Sequence, residues 1–211
     1  MIRLTAKGLA KYMTSGPASQ RKILWNYKHP DPEGAVQSKY YSEARHAIER
    51  YHTSGNDASV AVRAVDLLHT KFLRLEGRKQ DRIKNNIRAL ESYLQHFGKK
   101  TLSILPPPDL TYAYGQVAVS AYPDLYVRDG DRHRIYKLDF SKENAKPLAI
   151  TIVLQITFVA AQNAGLPVLP RDVIYLDVAR GREYKGARVR AHLMRDVEAA
   201  CQTIEDVWPR L

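Results

Sequence analysis

Cysteine is nearly absent: Cys201 is the one cysteine in 211 residues. That excludes an internal disulfide and any zinc cluster built from several thiolates. The seven histidines are scattered, with no His-x-x-x-His pair to place two imidazoles on one helix face, so no zinc site is expected. No apolar run approaches the roughly 18 residues that a membrane span needs, so no membrane partner is expected. The opening Met1-Ile2-Arg3-Leu4-Thr5 lacks an apolar core followed by a small-residue cleavage site. No secretory signal is therefore expected, and the expected location is cytoplasmic. Gly-x-Gly-x-x-Gly and Gly-Lys-Ser phosphate loops are missing, as is a Gly-x-Ser-x-Gly elbow.

Acidic residues are also in short supply. There are 22 Asp and Glu against 33 Lys and Arg, a formal net charge of +11. The excess is lopsided: residues 1–100 hold 19 basic and 9 acidic residues, and residues 101–211 hold 14 and 13. Cationic side chains in the first half would release counterions from a polyanion, so nucleic acid, DNA first, is the expected partner. A solvated basic face, or an acidic protein partner, is the alternative. The candidate phosphate contacts are Arg21, Lys22, Lys39, Arg45, Arg78, Lys79, Arg82 and Lys84. Tyr40-Tyr41 would either stack on bases or pack helices.

Hydrophobic spacing makes the first half helical. Thr5 caps a helix running to Met13, Pro17 opens a second to about Lys28, and a third spans about Ser38–His52. Asp57 caps a fourth with Val62, Val65, Leu68, Phe72 and Leu75 in register, and a fifth runs from about Lys79 to Phe97. The period then changes. Short strands are expected at Thr101–Leu105, Gln116–Ala121 and Asp124–Arg128, with Asp129-Gly130 turning into a returning strand, Arg132–Ser141. Leu148–Ala164 is apolar throughout and long enough for a buried helix. A core strand (Val173–Val178), one or two short strands and a final helix (His192–Val207) follow. Element order thus predicts an α/β (α+β) protein, with a basic helical lobe over 1–100 and a mixed sheet flanked by helices over 101–211.

Two acids stand out. Pro123-Asp124 opens one hairpin strand and Asp139 lies near the end of the other, so both carboxylates would converge from neighbouring strands. Carboxylate oxygens suit Mg²⁺ or Mn²⁺, which activate water and neutralise a scissile phosphate, with a lysine alongside to stabilise developing charge. The bland alternative has Asp124 capping a turn and Asp139 facing solvent or pairing with Lys137 or an arginine. Over about residues 85–205 this pattern resembles the PD-(D/E)XK nuclease superfamily, especially its RecB-like and restriction-endonuclease-like branches. The resemblance implies a restriction-endonuclease-like core and a Mg²⁺-dependent DNA endonuclease or exonuclease. It assigns Asp124 and Asp139 to the metal, Glu91 on the preceding helix as a further ligand, and Gln155 on the crossover helix to the site. The family places its lysine two residues after the second acid, where this chain has Ser141. Lys142 is one place too far, and Lys137, two places before Asp139, shares its strand face. Lys142 or Lys137 would be the cationic helper. Otherwise the chain is a catalytically degenerate nuclease-fold module that binds DNA or serves as a subunit of a larger defence or mobile-element assembly.

Overall fold

Apolar and polar residues alternate in Ile2-Arg3-Leu4-Thr5, and the chain begins with a strand, β1 (Ile2–Thr5), with Ile2 and Leu4 buried and Arg3 and Thr5 exposed. It pairs in parallel with Val117–Ser120, Ile2 opposite Val117 and Thr5 opposite Ser120. The partner strand lies in the second half of the chain, so no turn signal announces the pairing. An all-helical first hundred residues is corrected accordingly.

The computed structural model describes residues 1–30 and 40–211. Lys39, and the expected helical start at Ser38, lie outside them. The helices of the first half are α1 (Ala6–Met13), α2 (Pro17–Lys28), α3 (Ser42–Thr53), α4 (Ala58–Leu73) and α5 (Gly77–Phe97). The Thr5 hydroxyl accepts from Gly8 N at 3.0 Å and Asp57 from Ser59 N at 2.8 Å, so both caps form as expected. The inner face of α4 differs from expectation. Ala61, Ala64 and Leu68 are buried, whereas Val62 is 58% exposed. The two alanines let α4 lie close to α3 and α5, so side-chain size decides which face turns in.

The second half adds β2 (Ser103–Leu105), β3 (Thr111–Tyr114), β4 (Val117–Ser120), β5 (Leu125–Asp129), β6 (Arg132–Asp139), α6 (Pro147–Asn163), β7 (Val173–Asp177), β8 (Arg182–Lys185) and α7 (Ala191–Val207). β3 was not expected; Tyr112 is its one buried side chain, too little alternation to mark a strand. Among the described residues the fold is α+β, with seven α-helices, a three-stranded sheet ordered β1-β4-β3 and a five-stranded sheet ordered β2-β5-β6-β7-β8. Both sheets are mixed. In the β5–β6 hairpin Asp129 pairs with Arg132, and Gly130 takes φ +58°, which a side chain would resist. β6 and β7 are parallel, as a crossover through α6 requires.

The five-stranded sheet separates two cores. On one face Leu125, Val127, Tyr136, Leu138, Ile174 and Leu176 pack against α3, α4 and α5. On the other, Tyr126, Ile135, Val173 and Tyr175 pack against α1, α2, α6 and α7 together with the small sheet. The expected division at residue 100 is crossed by the β1–β4 pairing and by α1 lying on α6. The basic lobe is thereby shared out, with α2 in one layer and α5 in the other.

Candidate functional site

The site grows from strand alternation. On β6, Lys137 and Asp139 point to the same side as Ile135, the side that Tyr175 faces from β7. Asp124 stands immediately before β5. Its N–H donates to the Tyr136 carbonyl at 2.9 Å, and its Oδ2 accepts from Leu138 N at 2.8 Å. The side chain is thus held against the β6 backbone, with Lys137 Nζ 3.5 Å from Oδ2 and Arg45 Nε 2.9 Å from Oδ1. Lys137 also donates to the Tyr122 carbonyl.

Asp139 is served by a second set of donors. Lys7 Nζ on α1 lies 3.4 Å from Oδ1 and donates to the Leu138 carbonyl at 2.7 Å. The Tyr175 hydroxyl donates to Oδ2 at 2.5 Å, and the Ser141 hydroxyl at 3.2 Å. Ser141 N approaches Oδ1 at 3.3 Å. The two acids belong to one cluster, since both carboxylates feel Lys7 and both act on the Tyr175 phenol.

The charges explain the protonation states. Burial alone would raise the Asp124 carboxyl, but Lys137, Arg45 and Lys7, with the Leu138 N–H, hold it below the ordinary carboxylate range. Asp139 is likewise low: burial opposes ionisation, and Lys7, Tyr175 and Ser141 outweigh it. Burial pushes Lys137 down, and Lys7 and Arg45 add to that, against the pull of Asp124. A carboxyl depressed by folding stabilises the protein above its unfolded pKa and loses that contribution as pH falls through its folded pKa. Acid unfolding should therefore steepen below about pH 4, the ordinary Asp value. Asp139→Asn should flatten that limb in urea titrations run at successive pH values.

The remaining expected residues are dispersed. Lys142 is exposed beyond β6, and its carbonyl accepts from Arg180. Gln155 is buried on α6, where Nε2 donates to the Arg188 carbonyl at 3.3 Å and Oε1 has no partner among the described residues. Glu91 is exposed on α5, which covers the opposite face of the sheet, and shares a cleft with Phe140 and Val178. Arg21 and Lys22 are exposed on α2; Arg78, Lys79 and Lys84 are exposed on α5. Arg82 is tied to Glu43 at 3.0 Å, and Arg45 to Asp124. Tyr40 bonds Asn85 and Tyr41 lies against Phe140, so both pack rather than stand free. Two residues of the cluster escaped notice. The strand pattern of β7 places Tyr175 two residues before Asp177, opposite Lys137, and would have revealed it once the register was known. Lys7 has no local signal, because the β1–β4 pairing is what carries α1 to the end of β6.

No family model matches the chain, and no curated protein matches it. The arrangement must be read on its own chemistry. A Mg²⁺ ion would take Asp124 and Asp139 as ligands, and each carboxylate oxygen already faces a cation or a hydrogen-bond donor. To bind the ion they would have to release Arg45, Lys137 and Lys7. Among the described residues no group of three or more His, Cys, Asp or Glu side chains is placed to hold a metal. Likewise, no described helix is long and apolar enough to cross a membrane.

Proposed function

We propose that the chain is a nucleic-acid-binding module with a restriction-endonuclease-like core, a catalytically degenerate relative of the PD-(D/E)XK nucleases. Support for the kinship comes from the β5–β6 hairpin, the α6 crossover to a parallel β7, and the two acids on one sheet face. The observation that carries the binding reading is the balance of the cluster. Three cations, Lys7, Arg45 and Lys137, surround two carboxylates, and Ser141 occupies the family's lysine position as a hydrogen-bond partner of Asp139. The cluster is net cationic, and Lys7 and Arg45 keep 38% and 34% of their side-chain surface exposed, in reach of a phosphate. The ligand is DNA in this reading, which goes with a cytoplasmic location; an acidic protein in a larger assembly is the competing partner.

Fluorescence anisotropy with a labelled oligonucleotide tests it. If three phosphates are engaged, affinity should fall about 40-fold between 50 and 200 mM salt for a duplex and about 20-fold for a single strand. Lys7→Gln should lower the salt slope by about 1. Affinity that ignores salt would overturn the reading. A parallel incubation with plasmid and Mg²⁺ or Mn²⁺ should give the same background for wild type and Asp124→Ala. Metal-dependent cleavage by wild type that is lost in the milder Asp124→Asn variant while its fold is kept would instead establish a nuclease, with Lys137 as the helper beside the acids.

A further inference from the structure

A groove of about 480 Å³ is lined by both members of the Asp124–Arg45 ion pair. Its two walls differ in character. One is apolar, formed by Ile104 and Leu105 of β2 with Pro107 beyond. The other is the polar flank of α3, where Glu49 lies three residues after His46 and four after Arg45. At its mouth stands Tyr122, half exposed, with no ring partner among the described residues. The backbone at Tyr122 is fixed: its carbonyl accepts from Lys137, and the next residue but one is the anchored Asp124. Tyr122 thus offers an exposed ring beside Arg45 and Lys137, a stacking surface next to cationic side chains.

We infer that this groove takes an unstacked nucleobase, so the ligand is a single strand rather than a duplex. This rests on the nucleic-acid reading above and specifies its substrate form. A base inside a duplex offers only its edges, because its faces are covered by its neighbours. A base in a single strand can be splayed out and laid on an aromatic ring, with its polar edge turned to hydrogen-bonding side chains. The groove supplies both: Tyr122 and the apolar wall for the faces, and His46 and Glu49 for the edge. The phosphate of the same nucleotide then lies over Arg45, in the field of a cluster whose three cations, Arg45, Lys137 and Lys7, exceed Asp124 and Asp139 by one. The size suits one nucleotide and its phosphate, being near the lower end of small-ligand pockets.

The test uses the full chain with a poly-pyrimidine single strand and a duplex of equal length at one salt concentration. Wild type should prefer the single strand. Tyr122→Ala, at a half-exposed position that leaves the melting temperature unchanged, should weaken single-strand binding by between about 5- and 150-fold. It should leave duplex binding unaltered, and Tyr122→Phe should restore the wild-type value. A 2-aminopurine base in the strand should change its fluorescence on binding wild type and not on binding Tyr122→Ala. Equal affinity for both forms, or a Tyr122→Ala variant that binds the single strand like wild type, would overturn the inference and leave the nucleic-acid reading standing. Binding to neither form would overturn both.

Discussion

Replacing Asp124 with alanine should cost about 3–5 kcal/mol of stability, the range for removing one partner of a buried ion pair. Its side chain is 10% exposed and that of Lys137 is 11% exposed. Without the carboxylate, Lys137 keeps one carbonyl acceptor and loses the group that offsets its burial and the repulsion of Lys7 and Arg45. The Leu138 N–H loses its acceptor as well. Asp124→Asn should be milder, since its amide oxygen still accepts from Leu138 N while the charge is gone. The double variant Asp124→Ala/Lys137→Met should recover part of the loss, because it removes the stranded cation with its partner. Urea titrations that shift the midpoint at constant slope measure each value, and the cycle gives the coupling between the two residues. A coupling near zero would mean that Asp124 is stabilised by Leu138 N and Arg45 alone.

That experiment concerns a pair of which half was legible in the sequence. Pro123-Asp124, the Asp129-Gly130 turn and the returning strand fixed a hairpin, and period-2 alternation placed Lys137 and Asp139 on one side of it. The long apolar stretch declared itself as α6 by length, and Gly98 marked the end of α5. What could not be read is what depends on distant pairing. β1 is four residues long, and its partner is β4 in the other half of the chain. Missing β1 meant assigning α1 to a separate lobe, and Lys7 with it. The basic clusters illustrate a second limit. Charge density marked Arg82 as a phosphate contact, yet helix packing supplies it with an acid partner, Glu43, while Arg45 keeps a third of its side-chain surface exposed beside Asp124. Composition shows a surplus of cations but not which of them the fold consumes.

Asn86→Ala should cost about 2–4 kcal/mol and loosen the site from a distance. Asn86 is fully buried in the middle of α5, where asparagine has no helical merit of its own. Its Oδ1 accepts from Ala44 N at 2.9 Å, and its Nδ2 donates to the carbonyls of Tyr40 at 2.6 Å and Arg82 at 2.9 Å. Ala44 N is one of the amides that the first turn of α3 leaves without a helical acceptor, and Tyr41 at the cap position makes no side-chain bond. A side chain from another helix therefore caps α3. Alanine would strand the Ala44 N–H and the Tyr40 carbonyl, each at about 1–3 kcal/mol before relaxation. Asn86→Asp should fare no better: it keeps the acceptor for Ala44 but sets a carboxylate against two carbonyls. Arg45 is the residue after Ala44, so fraying this turn draws the guanidinium away from Asp124. The variant should then lose both thermal stability and part of its oligonucleotide affinity, and the acid limb of its unfolding should shift toward higher pH as Asp124 loses a cation. If stability falls while that limb stays put, the cap holds α3 on α5 without setting the position of Arg45.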